Sequence, residues 1–215
     1  DEAVLRGTTL FWTSLELASS NWATTLHRYD MTTHSALPGA IMLGQMHACK
    51  CSPGDLPTPG WDASPDGSRV VYQAVTPKTG TDFGIASSRV YAANADGSGA
   101  SQIARYMTTT ELIRMQFSPN GQLVAFTQAL PSPSVISASS ASPGTAGDPN
   151  FHAYTPDAVS FPVWKWDSSS FWAAKKGTGD TTTTGTAALY YYTVGSPGGT
   201  IGVSGGYNPW YTIGG

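Results

Sequence analysis

The sequence predicts an all-β protein, and three observations lead to this fold class. Gly and Pro are abundant, with 24 and 15 residues among 215, which favours many short strands joined by turns. A tight turn recurs between two apolar runs, as Ser64-Pro65-Asp66-Gly67 and again as Ser118-Pro119-Asn120-Gly121. Patterns that favour helix are scarce along the whole chain. Short antiparallel strands are therefore expected to be the dominant regular structure.

The strands that follow these turns, here called B strands, define a repeat. They begin near residues 9, 69, 123 and 171, somewhat farther apart than the ~40–45 residues of a typical propeller blade. Each B strand is followed by an aromatic C strand, a short polar turn and a last strand. The predicted C strands are Leu26–Tyr29, Val90–Ala93, Phe151–Tyr154 and Leu189–Tyr192. Four-stranded units repeated in this way predict a β-propeller, whereas a β-sandwich does not explain why the same turn returns in phase.

One stretch also carries a family resemblance. The run Trp61-Asp62-Ala63-Ser64-Pro65-Asp66-Gly67, followed later by Asp96-Gly97, resembles the TolB-like propeller repeat. That repeat has a Trp-Ser-Pro-Asp-Gly turn and a later Asp-Gly turn. The resemblance is strong over residues 60–106, good over 113–129 and weak over 162–204, and within 7–40 it is visible only through the other copies. It implies a β-propeller and no particular activity.

The chain is predicted to form a single β-propeller domain over residues 1–215. Blade 1 combines residues 7–40 with 207–213, and the other blades cover 60–106, 113–161 and 162–204. The first copy lacks a strand ahead of its B strand, whereas the last copy is followed by an additional strand. We therefore expect the C-terminal strand to complete the first blade beside residues 9–15, or beside the same strand of a second copy.

The repeats allow three ways in which the ring of blades could close. The strand count favours a closed four-bladed ring. An eight-bladed ring shared by two chains and a section of a longer propeller are both compatible with the repeats.

Charge and hydropathy exclude some classes of function. The net charge of −3, with 11 scattered basic residues, argues against a nucleic-acid interface. No apolar run approaches the ~20 residues that a membrane-spanning helix needs. The low share of charged residues suits an extracellular or periplasmic protein. The Ser/Thr-rich segments 131–147 and 179–186 are expected to be flexible loops or sites of O-linked glycans, since no Asn-x-Ser/Thr acceptor occurs.

Long loops are predicted to gather on one face of the propeller, here called the long-loop face. They are the B–C loops at 16–25, 76–88, 130–150 and 178–187, and the connection at 41–60. Binding residues tend to lie on loops that a rigid scaffold carries. The candidate binding residues on this face are Trp22, His47, Asp82 and Asp148.

The two cysteines, Cys49 and Cys51, lie in the same predicted loop. Because the chain has no others, a disulfide between them is the preferred reading, although the short spacing would strain it. Free or intermolecularly paired thiols and a soft metal site with His47 are the alternatives. Zinc sites normally need a second ligand pair, which the sequence lacks, so no metal and no cofactor are predicted.

No catalytic constellation emerges from the sequence. There is no Gly-x-Ser-x-Gly motif, and the aspartates that recur with the repeat are expected to cap turns; they are Asp62, Asp66, Asp96 and Asp167. His27 and His152 are predicted at matching positions of their C strands. The first hypothesis is a non-enzymatic extracytoplasmic scaffold that binds protein, or itself, through the long-loop face. The alternative is a carbohydrate-binding or hydrolytic propeller with a site at the axial mouth of that face.

Overall fold

The protein is described by a computed structural model for residues 3–18, 21–47, 59–77, 85–106, 114–127, 134–137, 152–153, 163–176, 187–194 and 200–207. Every regular element in these ranges is a β-strand, which confirms the all-β class. The strands are β1 (Ala3–Arg6), β2 (Thr9–Ala18), β3 (Asn21–Asp30), β4 (Ser35–His47), β5 (Trp61–Ala63), β6 (Arg69–Pro77), β7 (Ile85–Asn94), β8 (Ser101–Tyr106), β9 (Arg114–Phe117), β10 (Leu123–Thr127), β11 (Ser134–Ser137), β12 (His152–Ala153), β13 (Val163–Trp164), β14 (Ser170–Lys176), β15 (Ala187–Thr193) and β16 (Thr200–Tyr207). The described residues include no helix that could cross a membrane.

The strands pair in chain order as four antiparallel units of four strands each. Unit 1 is β1–β4, unit 2 is β5–β8, unit 3 is β9–β12 and unit 4 is β13–β16. A single parallel pairing of Gly44 with Val75 joins units 1 and 2 into one eight-stranded sheet. A Cβ atom at residue 44 would lie 2.7 Å from the carbonyl oxygen of Val75. Only glycine therefore permits this close approach of the two backbones.

The predicted turn between the first two strands of a unit is confirmed, because its geometry recurs. Gly67 N donates to Ser64 O at 2.8 Å, and Gly121 N donates to Ser118 O at 2.8 Å. Both glycines are in the left-handed region, with φ of 73° and 68°. In the matching turn of unit 4, where Ser168 N donates to Lys165 O, Ser168 takes this conformation with φ of 61°, at the cost of strain that glycine avoids. The turn is thus preserved where its sequence is not.

The carboxylate of Asp66 makes the first of these turns sensitive to acid. Hydrogen bonds from the Ser64 hydroxyl and from the backbone and hydroxyl of Ser68 lower the pKa of Asp66 from 3.8 to about 2. A depressed pKa stabilises the folded state above pH 4, and this contribution is lost as the pH falls from about 4 to 2. In the equivalent turn Asn120 accepts the same bonds from Ser118 and Gln122, so Asp66→Asn is expected to fold.

We expect the stability difference between wild type and Asp66→Asn to shrink between pH 4 and pH 2. Urea unfolding followed across this pH range measures it. The reverse substitution, Asn120→Asp, is the matched control and should add acid sensitivity at the second turn. A difference that stays constant over the range would contradict this role of Asp66.

Unit 1 contains its own first strand, so the prediction that the first copy lacks a strand ahead of its B strand was wrong. β1 pairs with β2, placing Ala3 opposite Trp12 and Arg6 opposite Thr9, and the other edge of β2 pairs with β3. β1 and β3 therefore occupy both edges of residues 9–12, where the C-terminal strand was expected, and the pairing of 208–213 stays a prediction. The missed feature is the turn at Gly7, whose positive φ of 55° lets the short run Ala3–Arg6 fold back. Residues 208–213 lie outside the described residues.

The strand order of unit 3 also differs from the prediction. Its third strand is β11, within the Ser-rich segment 131–147, and His152–Ala153 forms the fourth strand. The prediction of Phe151–Tyr154 as a C strand was therefore wrong, and His152 does not match His27. β11 contains the β-branched pair Val135-Ile136, which favours a strand, but the surrounding serines hide this signal in a composition-based reading.

Several predicted loops are shorter than expected. β2 runs to Ala18 and β3 begins at Asn21, so the loop predicted at 16–25 lies mostly in strands. Residues 41–47 likewise belong to β4, and residues 76–77 and 85–88 to β6 and β7. The hairpin extends because apolar cross-strand pairs continue towards its tip, where Leu17 lies opposite Trp22. The rest of the predicted loops falls largely outside the described residues.

The hydrophobic core lies between successive units. One buried cluster joins unit 1 to unit 2 and includes Phe11, Leu26 and Tyr72. A second joins unit 2 to unit 3, and a third packs Ala125 of unit 3 against Phe171 and Tyr192 of unit 4. Each inner unit therefore buries both faces of its sheet.

Candidate functional site

The position of a residue after the turn decides which neighbouring unit its side chain contacts. The third residue after the positive-φ turn residue packs against the preceding unit, and the fourth packs against the following unit. Side chains at these positions that have a neighbouring unit are 0% exposed; they are Phe11, Val70, Val71, Val124, Ala125 and Phe171. This register follows from the alternation of side chains along a strand. Each B strand therefore has one side chain placed to contact the preceding unit and one placed to contact the following unit.

Two positions of this register have no neighbouring unit to cover them. Leu10 is the third residue after Gly7 and would contact a unit preceding unit 1. Trp172 is the fourth residue after Ser168 and would contact a unit following unit 4. Both are only half-buried. We call the uncovered side of unit 1 the leading face and the uncovered side of unit 4 the trailing face.

The leading face is an apolar sheet surface. Leu5 lies directly opposite Leu10, and Trp12 lies opposite Ala3 and His27, so these side chains point to the same side of the sheet. Leu5 is 55% exposed, and Met42, which pairs with Thr25 from the last strand of unit 1, is 58% exposed. Exposed apolar side chains that share one face of a sheet mark interaction sites more often than isolated exposed leucines do.

A polar group lies in the middle of the leading face. Ser14 Oγ and His27 Nε2 are 2.7 Å apart, and the His27 ring stacks on Trp12 with 5.2 Å between ring centroids. Glu16 accepts a longer hydrogen bond, at 3.5 Å, from the Ser14 hydroxyl. An activated serine needs a histidine that is itself oriented by a third group, but here the carboxylate contacts the hydroxyl. The group therefore fixes the His27 and Trp12 rings on this face.

Sequence reasoning missed this polar group. The signal was the period-two spacing of Trp12, Ser14 and Glu16 along one strand. It could be read only with the register that places His27 opposite Trp12.

The trailing face is aromatic. Trp172 lies between Val163 and Tyr191 in the sheet, and its ring meets that of Tyr191 edge-on with centroids 4.9 Å apart. The Ser170 hydroxyl donates to Tyr191 Oη at 2.6 Å, which fixes the phenol. Val163 is 37% exposed. This face thus offers a rigid apolar surface at the other end of the row of units.

Asp62 is a buried acid that holds three units together. It is 7% exposed; one carboxylate oxygen accepts from Phe117 N at 2.7 Å, and the other accepts from Arg6 Nη2 at 3.2 Å and from Ala63 N at 2.8 Å. Burial raises the pKa of Asp62, whereas the Phe117 N–H and the Arg6 guanidinium oppose that rise. Asp62 therefore does not cap a turn as predicted, but links units 1, 2 and 3.

The other recurring aspartates do cap turns, as predicted. Asp66, Asp96 and Asp167 each accept from the backbone N–H two residues later, at 2.9–3.1 Å.

Further hydrogen bonds join the units near these turns. Arg69 Nη2 donates to the carbonyl of Gly121. Asn120 N donates to Ser168 Oγ at 3.0 Å, and Trp164 Nε1 donates to the Gln116 carbonyl at 3.1 Å. These polar groups serve contacts within the chain, so this part of the molecule is less suited to a ligand than the end faces are.

Of the residues predicted to bind on the long-loop face, the structure describes Trp22 and His47, which lie at adjoining positions of β3 and β4, because Trp22 pairs with Met46 and His47 with Asn21. Trp22 is half-buried in β3, so its prediction as a loop residue was wrong. His47 is the last residue of β4. Asp82, Asp148, Cys49 and Cys51 lie outside the described residues, where the disulfide and the binding roles stay predictions. Within the described ranges no group of three or more His, Cys, Asp or Glu side chains could hold a metal ion.

Solved structures with a similar fold are propellers or propeller-containing enzymes. The β-propeller domain of the Trilobed protease from Pyrococcus furiosus, which has an open velcro topology, matches with a TM-score of 0.62 and 9% identity over 94% of this chain and 56% of that chain. The acylaminoacyl peptidase of Pyrococcus horikoshii matches with 0.57 and 10% over 94% and 32%. An oligogalacturonate lyase in complex with manganese matches with 0.52 and 13% over 92% and 50%.

These matches give information on the fold of this chain and on its length relative to the matched structures. The chain spans between about a third and a little over half of the length of the three matched structures. The sequence matches no protein-family model and no curated protein. At such low identities a structural likeness shows the fold alone, and the described chain therefore has a β-propeller fold.

Proposed function

We propose that this chain is a non-enzymatic propeller module, of the TolB-like kind, that binds protein or itself through its leading face. Its four units are then four blades. The observation that carries the proposal is Leu10, which is only half-buried at a register position where the inner units bury Val70 and Val124 completely. A side chain placed for packing against a neighbouring sheet implies that such a neighbour binds there.

The shape and chemistry of the leading face favour a protein over a small ligand. Small-molecule sites are concave and enclose most of their ligand, whereas this surface is one side of a sheet. Its exposed Leu5 and Met42 and its Trp12–His27 stack resemble the core of a protein interface with a few polar groups. The same chain packs such sheet faces against each other between its own units.

Two earlier expectations remain part of this proposal without being needed for it. Binding through the long-loop face, with Trp22, His47, Asp82 and Asp148, would add a second contact surface. An extracellular or periplasmic location, with O-linked glycans on the Ser/Thr-rich segments, agrees with the low share of charged residues.

The alternative is a hydrolytic or carbohydrate-binding propeller with a site at the axial mouth. Its support is that two matched structures are named as peptidase or protease and a third as a lyase. Against it, the buried acid Asp62 is already engaged by Arg6 and Phe117. Cleavage of many molecules of a peptide or an oligogalacturonate by each molecule of the purified protein would favour the alternative.

We expect Leu5→Asp to weaken association of the protein at least tenfold. Burying a leucine contributes about 1.5–3 kcal/mol, and a charge in its place also costs desolvation. Sedimentation velocity over a concentration series measures the effect. The matched control is Leu17→Asp, because Leu17 is 56% exposed against 55% for Leu5 and lies on the opposite side of the unit 1 sheet.

Both variants should melt at the wild-type temperature when dilute, since neither leucine belongs to the buried core. If the two variants associate as the wild type does, or if both lose association equally, the leading face is not the binding surface.

A further inference from the structure

We infer that the leading face binds the trailing face of a second copy of this chain, so that two chains close one ring of eight units. This inference rests on the proposed function and names its partner. Three observations support a second copy as the partner: the register of the sheets, the separation of the two end units and the length of the matched structures.

The two end faces have the register of a pair that the chain already forms three times. Phe11 faces Val70 across the first interface, Val71 faces Val124 across the second, and Ala125 faces Phe171 across the third, each pair within one buried cluster. The leading face presents Leu10 and the trailing face presents Trp172 at these positions. A trailing face packed against a leading face would therefore have the same register as the three interfaces between successive units of one chain.

The described part of one chain does not make this contact itself. Units 1 and 4 belong to different sheets, and no buried cluster of the described residues combines members of both. The incomplete burial of Leu10 and Trp172 agrees with this separation. The partner of each end face therefore has to come from outside the described strands.

A second copy supplies a partner of the right length. The chain covers 56% of the propeller domain from Pyrococcus furiosus and 50% of the oligogalacturonate lyase, so two copies provide about one such structure. Propellers commonly have about 4–8 blades, which includes a ring of eight. A head-to-tail contact normally generates larger rings or fibres, but it closes with two copies if each copy spans half of the ring.

The polarity of the contact gives a sharp test with the full chain. Leu5→Asp alters the leading face, and Val163→Asp alters the trailing face at a residue that is 37% exposed. Each variant alone damages both contacts of the closed dimer. A mixture of the two variants can form a dimer in which one contact carries both substitutions and the other carries none.

We expect sedimentation equilibrium to give twice the monomer mass for the wild type and for Leu17→Asp. Leu5→Asp and Val163→Asp should each sediment as monomers at the same concentration, and their equimolar mixture should recover a dimer of intermediate affinity. Trp172→Glu provides a second trailing-face variant, and circular dichroism of each variant establishes that it is folded.

Three results would overturn the inference. A dimer that loses association with Leu5→Asp but tolerates Val163→Asp and Trp172→Glu would be a symmetric leading-to-leading dimer, which leaves the proposed function intact. An assembly larger than two copies would also leave that function intact. A wild type that stays monomeric would exclude both the closed dimer and self-association. This result is expected if additional blades of a longer chain cover the end faces.

Discussion

Asp62→Ala is expected to lower the free energy of unfolding by about 3 kcal/mol, the lower end of the range for removing one partner of a buried ion pair. The substitution leaves the buried Phe117 N–H without its acceptor and the half-buried Arg6 without its counter-charge. It does so at the point where units 1, 2 and 3 meet. Urea unfolding with linear extrapolation measures the loss.

Two further variants separate the causes of this loss. Asp167→Ala removes the acid of an exposed pair with Lys165 and should cost clearly less, because exposed pairs contribute little. Asp62→Asn removes the charge and keeps the shape, but its amide NH₂ cannot accept a hydrogen bond where one carboxylate oxygen does. Because burial raises the pKa of Asp62, the stability that the acid contributes decreases as the pH rises through that pKa, and the Asp62→Asn variant should lack this pH dependence. Equal losses for Asp62→Ala and Asp167→Ala would remove Asp62 from its linking role.

Phe11→Ala is expected to lower the free energy of unfolding by about 3–5 kcal/mol, the usual cost of truncating a buried aromatic side chain. Phe11 is 0% exposed and fills the interface between units 1 and 2. Leu17→Ala, on the same side of the same strand but 56% exposed, should change stability by less than about 0.5 kcal/mol. Thermal and urea unfolding of both variants provide the comparison.

A loss below about 1 kcal/mol for Phe11→Ala would show that the first two units do not depend on this packing. Leu10 would then no longer mark an uncovered face, because the same rule assigns Phe11 and Leu10 to opposite neighbouring units.

The sequence predicted the features that depend on local chemistry. The turn at Ser64–Gly67 was predictable because proline, aspartate and glycine each suit one of its positions. The same reasoning found its copy at Ser118–Gly121. The corresponding turn of unit 4 lacks both the proline and the glycine, and there the structure places Ser168 in the left-handed region.

Features that depend on pairing partners could not be predicted. β1 is short and carries no aromatic residue, so only its pairing with β2 identifies it as a strand. β11 lies in a serine-rich segment, and its pairing with β10 decides its place in unit 3. The candidate site was missed for the same reason. Leu10 and Val70 are both apolar residues near the start of a B strand. Val70 is buried because a unit precedes its own, whereas no described unit precedes that of Leu10.

The central claim is that both end faces become covered when the protein associates, and hydroxyl-radical footprinting of tryptophans tests it most directly. Trp12 on the leading face and Trp172 on the trailing face should lose labelling as the protein concentration rises. Trp166, which is 82% exposed near the turn of unit 4, should be labelled equally throughout. Labelling of Trp12 and Trp172 that does not change with concentration would contradict the claim.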